Sequence, residues 1–180
     1  MASKVKVDQL ETLDGTGTIA LQNQLSGMTT VSLPALGAAQ MPTGSVLQVV
    51  NGSFASETTS TSSSYADTGL TLAITPTSAT SKILVLVNIT GCFSSATNNY
   101  MVLRLMRDDS SLINIETQAL YKAAATQATT SGTGATHLDS PSTTSATTYK
   151  VQFNNVTATG SVYICSGNAT STITLMEIAG

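Results

Sequence analysis

Charge is scarce in this chain: Asp, Glu, Lys and Arg together make up 9% of 180 residues, seven basic against ten acidic. Nucleic-acid binding needs clustered Lys and Arg to displace counterions from phosphates. The seven here are scattered, which sets DNA and RNA aside as partners. Aromatics are 4% of the chain and Trp is absent. His137 is the one histidine, so neither a His-based metal cluster nor a Ser-His-Asp relay can be assembled within one chain. No window approaches the ~20 apolar residues of a membrane span, and no membrane insertion is expected. The start Met1-Ala-Ser-Lys-Val-Lys-Val7 lacks the apolar core of a signal peptide, which gives the expectation of a protein made and kept soluble in a cytosol. Two cysteines, Cys92 and Cys165, end strand-like runs. They are close enough in pattern to form a bridge after release from the cell, but buried free thiols are the default in a chain made under reducing conditions.

What the chain has in abundance is Ser and Thr, roughly three residues in ten, a bias that favours strands and turns over helices. A mean hydropathy of +0.18 with a net charge of only -3 leaves much uncharged surface on any monomer, and oligomerisation is the simplest remedy. The organising stretch is Ser81-Lys-Ile-Leu-Val-Leu-Val-Asn-Ile89. In an extended chain Ile83, Val85, Val87 and Ile89 point one way and Leu84 and Leu86 the other, so this is an interior strand whose two faces both call for cover.

Around it, strand signals run from 45–50, 70–74 and 100–106 through 112–116, 149–153 and 161–165 to 171–178, separated by turn chemistry such as Thr75-Pro76. About eight short strands predict an all-β head over residues 44–180, an antiparallel β-sandwich or jelly roll. A long exposed loop is expected over 119–136 and a bend at Asn154-Asn155. Ahead of the head, residues 1–43 read as an extended N-terminal arm and a linker with Pro34, Gly37 and Pro42. The arm cannot bury a core of its own, so Val5, Val7, Leu10, Ile19 and Leu21 are the candidates for anchoring it to another protein.

Candidate chemistry is thin. Asp108 and Asp109 are adjacent and point opposite ways on extended chain, whereas the carboxyls of a glycosidase converge across one bond; with Ser110-Ser111 they read as a turn. Arg104 reads as structural, paired with Glu177, Asp139 or a neighbouring subunit. His137 reads as a loop or interface residue. Asn51, Asn88, Asn155 and Asn168 head glycosylation sequons that arise by chance in so Ser/Thr-rich a chain, and Gly15-Thr-Gly17 is no phosphate loop because neither Lys-Ser/Thr nor a helix follows it. No catalytic residue, metal site or cofactor is assigned, and the chain is expected not to be an enzyme.

In order, Gly44-Ser-Val-Leu-Gln-Val-Val50, Thr68-Gly-Leu-Thr-Leu-Ala-Ile-Thr-Pro76, Ser81-Lys-Ile-Leu-Val-Leu-Val87, Leu103-Arg-Leu-Met-Arg-Asp108, Leu138-Asp-Ser-Pro141, Ala146-Thr-Thr-Tyr-Lys-Val151 and Ser171-Thr-Ile-Thr-Leu-Met-Glu-Ile178 resemble the C-terminal head of tail-fibre-like virion proteins of tailed bacteriophages, especially phages of cyanobacteria. The resemblance covers roughly residues 44–180, and Val7-Asp-Gln-Leu10 with its Gly-Thr-Gly turn resembles the start of such a fibre. It implies a homotrimer of β-sandwich heads on an N-terminal mount, made in the bacterial cytoplasm and displayed on the virion surface. The long shaft of a tail fibre is replaced by a short linker, which points to a compact knob, a short fibre or a head decoration.

Two classes of function follow. One is attachment to a host surface glycan or outer membrane, with Asn98, Asn99, Tyr100, Tyr121, Lys122 and His137 as contact candidates in loops. The other is a capsid cement trimer whose arm binds the major capsid protein. The partners expected are thus the chain itself and other virion proteins of tail or capsid.

Overall fold

The computed structural model describes residues 37, 41–122 and 131–180. The anchoring candidates Val5, Val7, Leu10, Ile19 and Leu21 lie outside the described residues. Within the unit Leu36–Gly180 the strands are β1 (Val46–Phe54), β2 (Thr58–Ser60), β3 (Ala66–Ile74), β4 (Lys82–Ser94), β5 (Asn99–Arg107), β6 (Ser110–Lys122), β7 (Ser131–Asp139), β8 (Thr147–Asn155), β9 (Val162–Ile164) and β10 (Ser171–Ile178). A 3-10 turn at Ser166–Asn168 is the one helical element among the described residues.

All the strands pair antiparallel, in two sheets. The first runs β1-β10-β4, with β7 on the other edge of β4 and the short β9 and β2 continuing from the end of β4. The second runs β3-β8-β5-β6. Their inner faces interlock: Ile83, Val85, Ile173 and Leu175 from the first sheet and Leu103, Val151 and Phe153 from the second are all fully buried in one cluster. Each such side chain contributes about 1.5–3 kcal/mol by leaving water, and together they make this an all-β sandwich.

The stretch 81–89 is the middle of the first sheet, as its pattern predicts, paired with β10 on one edge and β7 on the other. Period-two alternation also located the cores of β1, β3, β5, β6, β8 and β10. Three expectations need correction. The long loop over 119–136 is mostly strand: β6 runs on to Lys122 and β7 begins at Ser131. Asn154 and Asn155 are the last residues of β8, not a bend. His137 lies within β7, opposite Val85, and not in a loop. In β3 the register shifts between Asp67 and Thr71; Gly69 sits in that shift at φ +94°, where a Cβ would collide with the Phe54 ring.

Two buried carboxylates tie the strands together at their ends. Asp139 takes Arg107 Nη1 on both oxygens, at 2.9 and 2.8 Å, and the Tyr149 hydroxyl at 2.7 Å. Burial, then the hydrogen bond to Asp139 and its charge, push the Tyr149 phenol well above its usual range. Glu177 is fully buried. It accepts from Gln48 Nε2 at 2.6 Å and from the backbone N–H and hydroxyl of Thr77, both at 2.7 Å.

Burial works against the Glu177 charge, but the Ser81 hydroxyl, the Gln48 amide and Thr77 outweigh it and hold the carboxyl below its ordinary value. Glu177 thereby fastens β1 and the 75–81 connection to β10. A carboxyl depressed in the folded state stabilises it above the unfolded pKa, and that contribution is lost as pH falls through the folded value. The urea midpoint is therefore expected to fall as pH drops below about 4.5, and Glu177→Gln to lower the midpoint at neutral pH while making its acid dependence shallower. An unchanged acid slope in that variant would refute the role given to Glu177.

Candidate functional site

The β5–β6 hairpin brings the aromatic candidates together. Its turn is Asp108-Asp109, with Asp108 at φ 49°; the Asp108 N–H donates to Thr148 O at 2.8 Å and its Oδ1 accepts from the Thr148 N–H at 3.0 Å. The two acids thus form the turn that their adjacency predicts. At the open end of the hairpin Asn99 faces Lys122 across the ladder. Asn98, at φ 54°, accepts the Tyr121 hydroxyl on its Oδ1 at 2.8 Å. The Tyr100 and Tyr121 rings meet tilted, 6.2 Å between centroids, and Tyr121 is half exposed. Amide and ring faces are therefore presented side by side, Asn98 from the turn before β5 and the two tyrosines from strand ends.

Asn99 points the other way, as a neighbour on extended chain must. It is fully buried, its Oδ1 accepts the Thr157 hydroxyl at 2.5 Å, and its Nδ2 has no partner among the described residues. It supports the loop 155–161 and is not itself a contact residue. That loop is closed by Asn155, whose Nδ2 donates to Gly160 O at 2.5 Å and whose Oδ1 accepts the Ala158 N–H at 3.1 Å. Ser95 and Ser161 join it to the end of β4, with Ser95 N donating to Ser161 O at 2.9 Å and Ser161 N to Ser95 Oγ at 2.8 Å. His137 is in the other sheet, away from this group in the fold.

The outer face of the second sheet also carries a polar chain that the sequence reading missed. Arg104 stacks on the Tyr65 ring, 3.6 Å from its centroid, and donates through Nε and Nη2 to Gln152 Oε1 at 3.0 and 2.6 Å. Gln152 Nε2 donates to Asp67 Oδ1 at 2.7 Å, and Lys150 Nζ lies 3.2 Å from Asp67 Oδ2. Arg104 is structural, as expected, but its partners are Gln152 and Tyr65 in place of Glu177 or Asp139. The signal was present in Tyr149-Lys-Val-Gln-Phe153, whose alternation turns Lys150 and Gln152 outward; the spacing to Arg104 and Asp67 was not.

Tyrosine rings with amides, a guanidinium and a carboxylate on one face suit a neutral polyhydroxyl ligand, whose C–H faces stack on rings and whose hydroxyls bond to amides. Among the described residues no group of three or more His, Cys, Asp or Glu is placed to hold a metal ion. No helix of the described residues is long and apolar enough to cross a membrane. No family model matches the chain, and no curated protein matches it either.

The thiols are buried neighbours of one another. Cys165, at φ 54°, places Sγ 3.3 Å from Phe54 O and 3.2 Å from Ser171 Oγ. Burial, then the proximity of Cys165, push Cys92 up to about 11. Both are free and buried, so neither is open to reagents in the folded protein. The native protein at pH 8 is expected to be inert to Ellman's reagent, and the same sample unfolded in guanidinium without reductant to release both thiols. Rapid native reaction would contradict this environment.

Proposed function

We propose that this chain is a structural protein of a tailed-bacteriophage particle, a short homotrimeric knob displayed on the virion surface for attachment to a host surface glycan. The observation that carries the reading is the convergence of Asn98, Tyr100 and Tyr121, all three of them contact candidates of the sequence, at the open end of the β5–β6 hairpin. The motif order over 44–180 supports the virion assignment. The distribution of strands supports a jelly roll: β1, β10, β4 and β7 lie in one sheet and β3, β8, β5 and β6 in the other, so among these eight the chain changes layer at every step but the β5–β6 hairpin. The mechanism is binding without turnover. A weak polyhydroxyl site repeated three times on one knob, and many times on the particle, becomes lasting attachment through effective concentration.

Particles carrying Tyr100→Ala and Tyr121→Ala are expected to keep their normal copy number of this protein and to adsorb to host cells at least about tenfold more slowly, since each ring removes a stacking contact worth roughly 1 kcal/mol at every site. Deleting residues 1–25 should instead remove the protein from the particle. Unchanged adsorption by the tyrosine variant, together with fragile capsids on arm deletion, would replace the attachment reading with that of a capsid cement protein.

A further inference from the structure

The pattern of the central strand called for cover on both faces, and among the described residues only one face has it. The outward side chains of β4 lie in rows that cross the whole first sheet in register. One row runs Val49, Met176, Leu84, Leu138, from β1 through β10 and β4 to β7. The next runs Asn51, Thr174, Leu86, Thr136, and the one beyond it Ser53, Thr172, Asn88, Gly134. On the other side of the first row, Val46 pairs with Ile178.

Three of the four exposed large hydrophobic residues are on this face: Val46 at 49%, Val49 at 53% and Leu138 at 50% exposure. Where β7 carries Gly134 in place of a side chain the face dips into a shallow hollow of about 370 Å³ beside Leu86, Thr136, Thr172 and Thr174. The face therefore has an apolar ridge and, two rows away, a recess. Four strands ~4.8 Å apart and some seven residues at ~3.3 Å each give the whole face, polar positions included, roughly 400 Å².

We infer that this outer face of β1-β10-β4-β7 is where copies of the chain meet. The inference rests on the homo-oligomeric reading and says which surface performs it. Its chemistry selects the occupant. Lys82 is the one charged side chain on this face among the described residues, while Asp67, Arg104 and Lys150 lie on the outer face of the other sheet. An acidic or basic partner would find almost nothing to pair with. A second copy brings a surface equally poor in charge, whose one ion, Lys82, is exposed at the very start of β4 and so lies at the rim of the face, where it keeps its water. The polar groups between the apolar ones are hydroxyls and amides, Asn51, Thr174, Thr136, Thr172 and Asn88, which donate and accept alike and so satisfy their own kind. The outer face of the second sheet, with its tyrosines, remains free for ligand.

The test is the mass of the full chain in sedimentation equilibrium, for wild type, for Val49→Asp combined with Leu138→Glu, and for Ala73→Glu on the other outer face as a control. Wild type and control are expected to be oligomers, and the double variant a monomer with an unchanged circular dichroism spectrum, its self-association weakened roughly 100-fold or more. A wild-type oligomer that the double variant leaves intact overturns this surface but not the oligomeric reading; a wild-type monomer overturns both. A double variant of unchanged mass that no longer joins the particle assigns the face to another virion protein and also overturns the inference. Should the double variant misfold, Leu138→Cys in an otherwise native chain decides the matter: with both natural thiols buried, its maleimide labelling is expected to slow severalfold as concentration rises through the association range. A rate independent of concentration in an oligomer overturns the inference.

Discussion

The structure depends on one constraint, that a strand in the middle of a sheet must satisfy its backbone on both edges while its side chains alternate between two faces. β4 meets it with β10 on one side and β7 on the other. Once Ile83, Val85, Val87 and Ile89 turn inward, every residue paired with them on β10 is fixed in facing, because a one-residue slip would put Ile173 and Leu175 in water. The register that buries those two also buries Glu177, and a carboxylate there is tolerable only because Gln48 and Thr77 arrive with donors. The polar latch is thus a consequence of apolar register and at the same time a lock on it.

The same alternation gives the sandwich two outer surfaces of opposite character. Over the second sheet the outward positions hold Arg104, Gln152, Asp67 and Lys150, linked in a chain that stiffens the face without burying a bare charge. Over the first sheet they hold Leu, Val, Met, Ile, Thr and Asn. The outer face of the second sheet thus carries both signs of charge in Asp67, Arg104 and Lys150, whereas Lys82 is the one charged side chain on the outer face of the first among the described residues. The tyrosines stand on strand ends held by a ladder and by the Asn99–Thr157 bond beneath them, so their placement is fixed by the fold, and under the proposed attachment function such preorganisation lowers the entropic cost of weak binding.

Much of this was legible in the chain. The fold class followed from Ser/Thr-rich composition and from clean alternation at 70–74, 81–89, 149–153 and 171–178, because each of those strands carries β-branched or aromatic residues on its buried face. β7 was not legible. Ser131-Gly-Thr-Gly-Ala-Thr-His-Leu-Asp139 has the small and polar residues of a loop, and it is extended because the free edge of β4 needs a partner, a demand that lies far off in sequence, where Leu84 faces Leu138 and Val85 faces His137.

The candidate site divides in the same way. Asn98, Tyr100 and Tyr121 could be chosen as amphipathic residues expected in loops, but only the β5–β6 pairing put Tyr121 against Asn98, and only the left-handed turn at Asn98 sets its exposed side chain apart from the buried Asn99 that opens β5. Arg104 was identified as a residue that must have a partner, and the tertiary structure chose Gln152 and Tyr65. The sequence by itself determined which residues go inward, since hydrophobic period is a local property; which strands lie beside one another, and hence which outward residues share a face, was decided by tertiary pairing, because register and strand order join residues that no local pattern connects.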